Sequence, residues 1–293
     1  MKRKLDMNEK DYVARRVTSQ DGLSLYVRDY PGPKNSEHAP LLCLGGLIRN
    51  SKDFAGVAKY HSRKRRVIVP EPRGRGFSDY DPNWENYRPD TYVGDVRHIL
   101  CALGIHEVVV IGTSMGGIMG MGMAAAIPTT LKALVLNDVG FTTRRQDLSV
   151  IINYMQSPPK LKTWEEAGQH LKAAFASEVP LVDPADWTRA AKNSYIEKSD
   201  GSIGFDWDDN IVKPILADKT EVHDLWHLFK ATGRIPVLTI RGEVSQILDT
   251  AQLSKMTSMH PNMKSVVIPA VGHAPSLAEK ESVEALNEFL KQY

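Results

Sequence analysis

The sequence contains little cysteine and little net charge, and each shortage excludes a class of protein. Only Cys43 and Cys101 occur among 293 residues, which excludes a disulfide-stapled fold and indicates a reducing compartment. Lysine and arginine number 37 against 35 aspartates and glutamates, for a formal charge of +2. This balance gives no general electrostatic attraction to nucleic acid or to an anionic membrane.

A secretory signal is also lacking, because the basic N-terminal segment MKRKLDMNEK continues into DYVARR without an apolar centre. We therefore expect the protein to begin near Met1 and to be cytoplasmic. The basic runs Lys2–Lys4 and Arg63–Arg66 are interpreted as solvated surface rather than as anion-binding patches.

No long apolar helix is predicted, although residues 108–127 form a stretch of 20 residues without a charge. The run begins with the β-branched segment VVVI, is broken by GTSMGG, and continues as IMGMGMAAAI before Pro128. This pattern is typical of a buried strand, a tight turn and a buried helix in an α/β domain.

Apolar segments of strand length recur along the chain, and the later ones alternate with helical patterns. A DG turn at Asp21 and Gly22 joins the first two as a hairpin, whereas the alternation elsewhere predicts parallel strands. The predicted strands are 12–17, 23–28, 40–44, 66–69, 107–111, 133–136, 236–240 and 265–268. The predicted fold is α/β, with a mostly parallel eight-stranded sheet flanked by helices.

The alternation stops between Phe141 and about Arg234, where no run resembles a buried parallel strand. Helical fragments such as TWEEAGQHLKAAFA and VHDLWHLFKATG fill this region, separated by polar loops. We predict a core formed by residues 1–140 and 231–293 and a helical cap formed by residues 141–230.

The strongest chemical motif is Gly112-Thr113-Ser114-Met115-Gly116-Gly117, which lies between a predicted strand and a predicted helix. A sharp strand-to-helix turn forces Ser114 into a strained backbone conformation and needs glycines where side chains would collide. Ser114 Oγ is thereby exposed at the edge of the sheet, and the Met115 N–H lies at the helix N-terminus, where it can donate to an oxyanion. The motif predicts a nucleophilic serine.

A serine hydroxyl becomes a good nucleophile when a base accepts its proton. His273 lies in the segment VVIPAVGHAPSL, in a loop between the last predicted strand and the C-terminal helix. This loop returns the chain to the edge of the sheet that carries Ser114, so we predict that His273 is the base.

With these motifs the chain resembles the α/β-hydrolases over nearly all its length, and in particular small bacterial hydrolases and esterases with a helical cap. The segments that carry the resemblance are GTSMGG, PEPRGRGFSDY and GHAP. The resemblance implies an enzyme without a cofactor, and a second oxyanion donor in the segment LLCLGGLIRN, namely the Leu47 N–H. Gly45 stands where the family has a histidine that helps to hold this loop.

The carboxylate that orients the histidine is harder to locate. The commoner acid of the family follows the strand ending TIRG, where this chain has Ser245 or Gln246, neither of which carries a charge. In several relatives the acid follows the preceding strand of the sheet, and there the segment KALVLNDVG offers Asp138. We predict Asp138, with Glu243 and Asp249 as alternatives.

Substrate contacts are predicted from position alone. Arg49 and Gly46 adjoin the oxyanion loop, and Trp164, Trp187 and Trp226 lie in the cap, either against the pocket or within the cap's own core. No metal site is predicted, because His223 and His227 have helical spacing without an evident third ligand.

The predicted activity is hydrolysis of a carboxylic ester, lactone or amide through an acyl-enzyme. The expected partner is a small-molecule substrate, and the expected state is a monomer or a homodimer. Three alternatives stay open: hydrolysis of a carbon-carbon bond in ring-cleavage products, cofactor-free dioxygenation, and a catalytically inactive binding protein.

Overall fold

A computed structural model describes residues 11–178 and 184–293. The predicted basic run Lys2–Lys4 lies outside the described residues. The strands are β1 Val13–Thr18, β2 Ser24–Tyr30, β3 Leu41–Leu44, β4 Val67–Pro70, β5 Val108–Thr113, β6 Leu131–Asn137, β7 Thr142–Arg144, β8 Tyr195–Glu197, β9 Ile203–Phe205, β10 Val222–Asp224, β11 Val237–Gly242 and β12 Met263–Ile268. The α-helices are α1 Ala55–His61, α2 Pro89–Ala102, α3 Met115–Ala126, α4 Ser149–Met155, α5 Trp164–Phe175, α6 Pro184–Ser194, α7 Lys213–Ala217, α8 Trp226–Ala231, α9 Thr250–Met259 and α10 Lys280–Leu290.

Eight of these strands form one sheet in the order β1-β2-β4-β3-β5-β6-β11-β12. Strand β2 pairs antiparallel with both β1 and β4, and every pairing from β4 onward is parallel. The predicted eight-stranded, mostly parallel sheet is confirmed, and each predicted strand overlaps an observed one. The uncharged stretch 108–127 divides into β5 and the 12-residue helix α3, as expected.

The central strands are buried on both faces, so their residues alternate between two hydrophobic layers. Val108 and Val110 of β5 join the layer that includes residues of α2 and α3. Val109 and Ile111 point the other way and pack with residues of α1 and α10. Within the described ranges, no helix combines the length and the apolar character that a membrane span requires.

The chain between β6 and β11 contributes no described strand to the eight-stranded sheet, and its residues 141–230 are here called the inserted segment. This segment contains helices α4 to α7, nearly all of α8, and two small antiparallel pairs, β7 with β10 and β8 with β9. Residues of this segment also pair with a turn of the core, since the Gly76 N–H donates to the Asp206 carbonyl and the Asp208 N–H to the Gly74 carbonyl. The boundaries predicted for a separate cap stay a prediction.

Gly116 is required by the close approach of α3 to β3. A Cβ added to Gly116 would lie 2.0 Å from the backbone carbonyl oxygen of Leu44. We therefore expect Gly116→Ala to lower the free energy of unfolding by about 3 kcal/mol or more, because backbone atoms must separate. Gly94 lies inside α2 with nothing within 4 Å of an added Cβ. Gly94→Ala should therefore raise the free energy of unfolding by about 0.5–1 kcal/mol. Urea unfolding measures both, and a Gly116→Ala protein as stable as the wild type would contradict the packing described.

His61 should make the fold sensitive to acid. Burial lowers its pKa to about 4, with further lowering by the charges of Arg65 and Lys64. Below its ordinary pKa of 6.5 the unfolded chain binds a proton that the folded chain does not, so stability is lost as the pH falls from about 6.5 towards 4. Between pH 7 and pH 5 this contribution is about 2 kcal/mol. Urea unfolding measures the free energy of unfolding at both pH values. The loss of this free energy between pH 7 and pH 5 should be smaller for His61→Gln than for the wild type. The same substitution at exposed His106 should leave the loss as large as in the wild type.

Candidate active site

Ser114 occupies the sharp turn between β5 and α3. Its backbone has φ 52° and ψ −117°, a conformation that an L-residue adopts only under constraint. The constraint is the packing of the turn, because a Cβ added to Gly112 would lie 2.4 Å from the carbonyl oxygen of Gly116. The glycines thus permit the turn that presents the serine side chain at the edge of the sheet.

Three neighbouring strands end in register at this edge. Thr113 of β5 pairs with Asn137 of β6, which in turn pairs with Ile240 of β11. The Ser114 N–H donates to the Asn137 carbonyl at 3.0 Å, which continues the ladder past the end of β5. Ser114 and Asp138, which directly follow β5 and β6, are therefore close to each other and to the end of β11.

His273 lies in the loop that follows β12, and its ring faces Ser114. Nε2 of His273 is 2.9 Å from Ser114 Oγ, a hydrogen-bond distance. Nδ1 of the same ring is 3.0 Å from Oδ1 of Asp138. Because a carboxylate accepts, the Nδ1–H donates to Asp138 and leaves the Nε2 lone pair directed at the serine hydroxyl.

Asp138 follows β6 directly and is completely buried, with 0% of its surface exposed. Its N–H donates to the Ile240 carbonyl at 2.8 Å, and its φ of 53° turns the side chain towards the end of β11. The Gly242 N–H donates to Oδ2 at 2.7 Å, and the Ser245 hydroxyl donates to Oδ1 at 2.6 Å. With the imidazole these donors satisfy a carboxylate that water does not reach.

The two alternative acids lie elsewhere. Glu243 is exposed and accepts from the Ala270 N–H at 2.9 Å. Asp249 caps α9 by accepting from the Gln252 N–H at 2.7 Å. Of the three predicted candidates, the carboxylate that contacts His273 is therefore that of Asp138.

Comparison with known proteins agrees with this architecture. Residues 39–279 match a model of the alpha/beta hydrolase fold. The chain belongs to the alpha/beta hydrolase fold family. An alpha/beta hydrolase structure from Novosphingobium aromaticivorans superposes with a TM-score of 0.90 at 38% identity, covering 97% of this chain and 99% of that one.

Two further relatives of this alpha/beta hydrolase have 30% identity. One is a 3-hydroxybutyrate-oligomer hydrolase of Cupriavidus necator, aligned over 258 residues that cover 85% of this chain and 87% of the relative. The other is the structure of a putative hydrolase from Rickettsia typhi, with a TM-score of 0.83 and coverage of 93% and 92%.

The loop after β3 supplies the other wall of the site. A Cβ added to Gly46 would lie 3.7 Å from Ser114 Cβ, so this backbone passes directly beside the serine. The Arg49 N–H donates to the Gly46 carbonyl at 3.2 Å. A trans peptide directs its N–H opposite to its carbonyl, so the Leu47 N–H points away from Arg49. The loop that carries Leu47 passes beside Ser114, and Met115 directly follows Ser114 at the start of α3, but the role of their N–H groups as donors stays a prediction.

The loop is held although Gly45 replaces the histidine of the family. Fully buried Arg75 donates through Nε to the Leu47 carbonyl at 2.8 Å and through Nη1 to the Tyr92 hydroxyl at 2.8 Å. The side chain of Arg49 packs over the loop, with its Cβ 3.5 Å from a Cβ added to Gly45. Two arginines therefore support the backbone that an imidazole supports in relatives.

Arg49 itself joins the loop to the inserted segment. Its guanidinium donates to both carboxylate oxygens of Asp53 and, through Nη1 at 2.9 Å, to the Ser194 hydroxyl. Burial opposes the charge, but the Asp53 carboxylate outweighs this and raises the pKa of Arg49. Asp53 thus balances the charge of Arg49, and substrate binding by Arg49 stays a prediction.

The predicted substrate-binding tryptophans pack with the core that α3 and the inserted segment share. Trp187 and Trp226 are buried there, and Trp226 also donates to Thr142 Oγ1 at 2.9 Å. Trp164 is half-buried against the same cluster. Within residues 11–178 and 184–293, no group of three His, Cys, Asp or Glu side chains is arranged to hold a metal ion.

Sequence patterns do not reveal a polar network within the inserted segment. His170 Nδ1 is 2.7 Å from the Tyr195 hydroxyl, which lies 2.5 Å from the Tyr154 hydroxyl. Burial raises the pKa of both tyrosines, that of Tyr195 to about 12, so both hydroxyls stay protonated at neutral pH. The residues are spaced irregularly in the sequence, and no motif identifies them.

Glu178 was also missed, although it contacts the loop of the base. Its side chain accepts from the His273 N–H at 3.0 Å, and its main-chain carbonyl accepts from the Gly272 N–H at 2.7 Å. A Cβ added to Gly272 would lie 2.5 Å from the Glu178 carboxylate, so glycine permits this contact. The inserted segment thereby helps to fix the backbone of His273.

Glu178→Ala should expose the His273 amide selectively. The substitution removes the side-chain acceptor of the His273 N–H but leaves the main-chain acceptor of the Gly272 N–H. Losing about 1 kcal/mol of hydrogen bonding should speed hydrogen exchange at His273 about 5- to 10-fold, as measured by amide NMR. Glu178→Gln retains an acceptor and should exchange like the wild type. Unchanged His273 exchange in the alanine variant would show that this bond does not fix the loop.

Proposed function

We propose that this alpha/beta hydrolase is a serine hydrolase that cleaves carboxylic esters or lactones through an acyl-enzyme. The observation that carries the proposal is the continuous hydrogen-bonded series from Ser114 Oγ through the His273 ring to the buried carboxylate of Asp138. A nucleophile, a base and an orienting acid in contact are what acyl transfer requires.

In the first step Ser114 Oγ attacks the carbonyl carbon of the substrate while His273 Nε2 accepts the hydroxyl proton. The imidazolium that forms is stabilised by Asp138, whose negative charge is 3.0 Å from Nδ1. Because Asp138 is already hydrogen-bonded on both oxygens, it needs no rearrangement when the positive charge develops.

The carbonyl oxygen becomes an oxyanion in this step and requires donors. We assign these to the N–H group of Met115, at the start of α3, and to that of Leu47, in the loop that passes beside Ser114. The Met115 N–H also lies at the N-terminus of α3, where the helix dipole favours negative charge. Backbone donors held by packing are effective because they need not reorient during the reaction.

Collapse of the tetrahedral intermediate breaks the bond to the leaving alkoxide, and His273 returns the proton to it. A water molecule then attacks the acyl-serine with His273 again as the base, which releases the acid and restores Ser114. No step in this cycle requires a cofactor.

The substrate class suggested by the relatives is a short ester of a hydroxy acid. One relative at 30% identity over most of both chains is a 3-hydroxybutyrate-oligomer hydrolase. The ester links of such oligomers are ordinary carboxylic esters, which suit the chemistry assigned to Ser114. A dimer of 3-hydroxybutyrate and simple lactones are therefore the first substrates to assay.

Two observations bear on the alternatives considered from sequence. Gly45 and the uncharged Gln246 are the features that would suit an inactive binding protein, but Arg75 supports the loop and Asp138 supplies the acid. Dioxygenation uses the histidine and aspartate as the base and needs little from the serine. The 2.9 Å bond between Ser114 Oγ and His273 Nε2 favours a nucleophilic serine instead.

The proposal is tested by Ser114→Ala and Asp138→Asn with a short aryl ester and with the 3-hydroxybutyrate dimer. Loss of the nucleophile should lower kcat about 10⁵- to 10⁶-fold, and Asp138→Asn about 10³- to 10⁴-fold by favouring the wrong imidazole tautomer. Ser254→Ala, at an exposed position on α9, is the matched control and should leave kcat unchanged.

A fluorophosphonate probe should label the wild-type protein at Ser114 and should not label Ser114→Ala. Undiminished ester hydrolysis by Ser114→Ala would overturn the proposal. Consumption of oxygen with a hydroxylated heteroaromatic compound, together with unreactive esters, would favour dioxygenation.

A further inference from the structure

Ser245 lies in the turn after β11, at one of the two positions where the family resemblance places the commoner acid, and it is almost fully buried. The neighbouring candidate, Gln246, is exposed and donates to the Val244 carbonyl. The register of the chain therefore directs Ser245, and not Gln246, towards the active site.

The hydrogen bonds of Ser245 fix the direction of its proton. Its Oγ accepts from the N–H groups of Ile247 and Leu248 at 3.2 and 3.3 Å. A hydroxyl has one proton to donate, and here the acceptor is Asp138 Oδ1 at 2.6 Å. The distance falls in the range of charge-assisted O–H···O⁻ bonds, which are stronger than neutral ones.

The oxygen that Ser245 contacts is the one that orients the base. Asp138 Oδ1 receives both the Ser245 hydroxyl and the His273 Nδ1–H, while Oδ2 receives the Gly242 N–H. The carboxylate plane is set by the torsion about the Cβ–Cγ bond of Asp138, and a single donor on Oδ2 restrains this torsion less than donors on both oxygens do. A second donor on Oδ1 fixes the carboxylate plane, and hence the direction in which the imidazole is held.

We propose that Ser245 is a positioning residue for the reaction, holding the Asp138 carboxylate in the orientation that His273 requires. This inference rests on the proposed serine-hydrolase function. The acid directly follows β6, and the turn after β11 supplies the hydroxyl that fixes it. A carboxylate at position 245 would instead bring a like charge within about 3 Å of Asp138, which strongly disfavours ionisation of both.

The test compares Ser245→Ala with Ser245→Thr, which keeps the hydroxyl. We expect Ser245→Ala to lower kcat for a short aryl ester roughly 10- to 100-fold, the effect of losing a charge-assisted hydrogen bond, with KM within about twofold. Ser245→Thr should recover most of the loss. Thermal unfolding of each variant verifies that the protein is folded at the assay temperature.

A double-mutant cycle separates positioning from a general structural effect. If Ser245 acts through Asp138, the change to alanine should cost little further activity in an Asp138→Asn background. Equal fold losses in the two backgrounds would overturn the proposal, as would an unchanged kcat in Ser245→Ala.

A spectroscopic readout does not depend on turnover, so it distinguishes failure of this inference from failure of the proposed function. The Nδ1–H proton of His273, shared with Asp138, should give a low-field NMR resonance in the resting protein. We expect it to shift or broaden in Ser245→Ala and to be restored in Ser245→Thr. A resonance identical in the wild type and in Ser245→Ala would refute positioning by Ser245 even if ester hydrolysis were absent.

Discussion

A fully buried carboxylate must find its hydrogen bonds within the protein, and the active edge of this sheet is organised around that constraint. Asp138 has no exposed surface, and its partners come from three places: the end of β11, the turn that follows it, and the loop after β12. The parallel pairing of β6 with β11 brings these groups together. The position of His273, and through it the environment of Ser114 Oγ, depends on how this one charge is satisfied.

The inserted segment is bound to the active-site loops by polar contacts as well as by apolar packing. Asn50, beside the oxyanion loop, donates to the Asn193 carbonyl and to Asp206. Arg49 reaches Ser194, and Glu178 accepts from the backbone of His273. Donors and acceptors of this kind specify an orientation, whereas apolar contact alone allows sliding. The segment therefore takes part in shaping the site both at the loop after β3 and at His273.

Most of the sheet could be predicted from the sequence, because buried parallel strands are continuous apolar runs and the turn at Ser114 requires glycines in a fixed pattern. The eight strands of the sheet lie within a few residues of their predicted ranges. The acid is harder to predict, since Asp138 and Glu243 each directly follow a strand and Asp249 precedes the helix that comes after β11. The three carboxylates differ in which one points towards His273. That direction depends on the backbone conformation of Asp138 and on the path of the chain after β11.

Other parts of the site could not be predicted, because they depend on contacts between segments far apart in the chain. Glu178 and His273 are 95 residues apart, and no local pattern marks either side of their hydrogen bond. The hydrogen bond from Arg75 to the Leu47 carbonyl likewise joins residues that are distant in the sequence. An arginine in a glycine-rich turn is typical of solvent exposure, yet here the side chain is completely buried and joined to Tyr92.

Arg75 limits how much of the inserted segment could be replaced by the corresponding segment of a relative. Its backbone pairs with Trp207 of that segment while its side chain holds the Leu47 carbonyl, so one residue links the oxyanion loop to residues 206–208. A chimaera that replaced the whole of 141–230 would remove the backbone partner of the turn that supports the oxyanion loop. A chimaera that retains residues 206–208 of this chain would keep the link to Arg75. The exchange would then include only those parts of the segment that do not pair with the turn. The part of the chain that can be exchanged without disturbing the loop after β3 is thus smaller than the whole inserted segment.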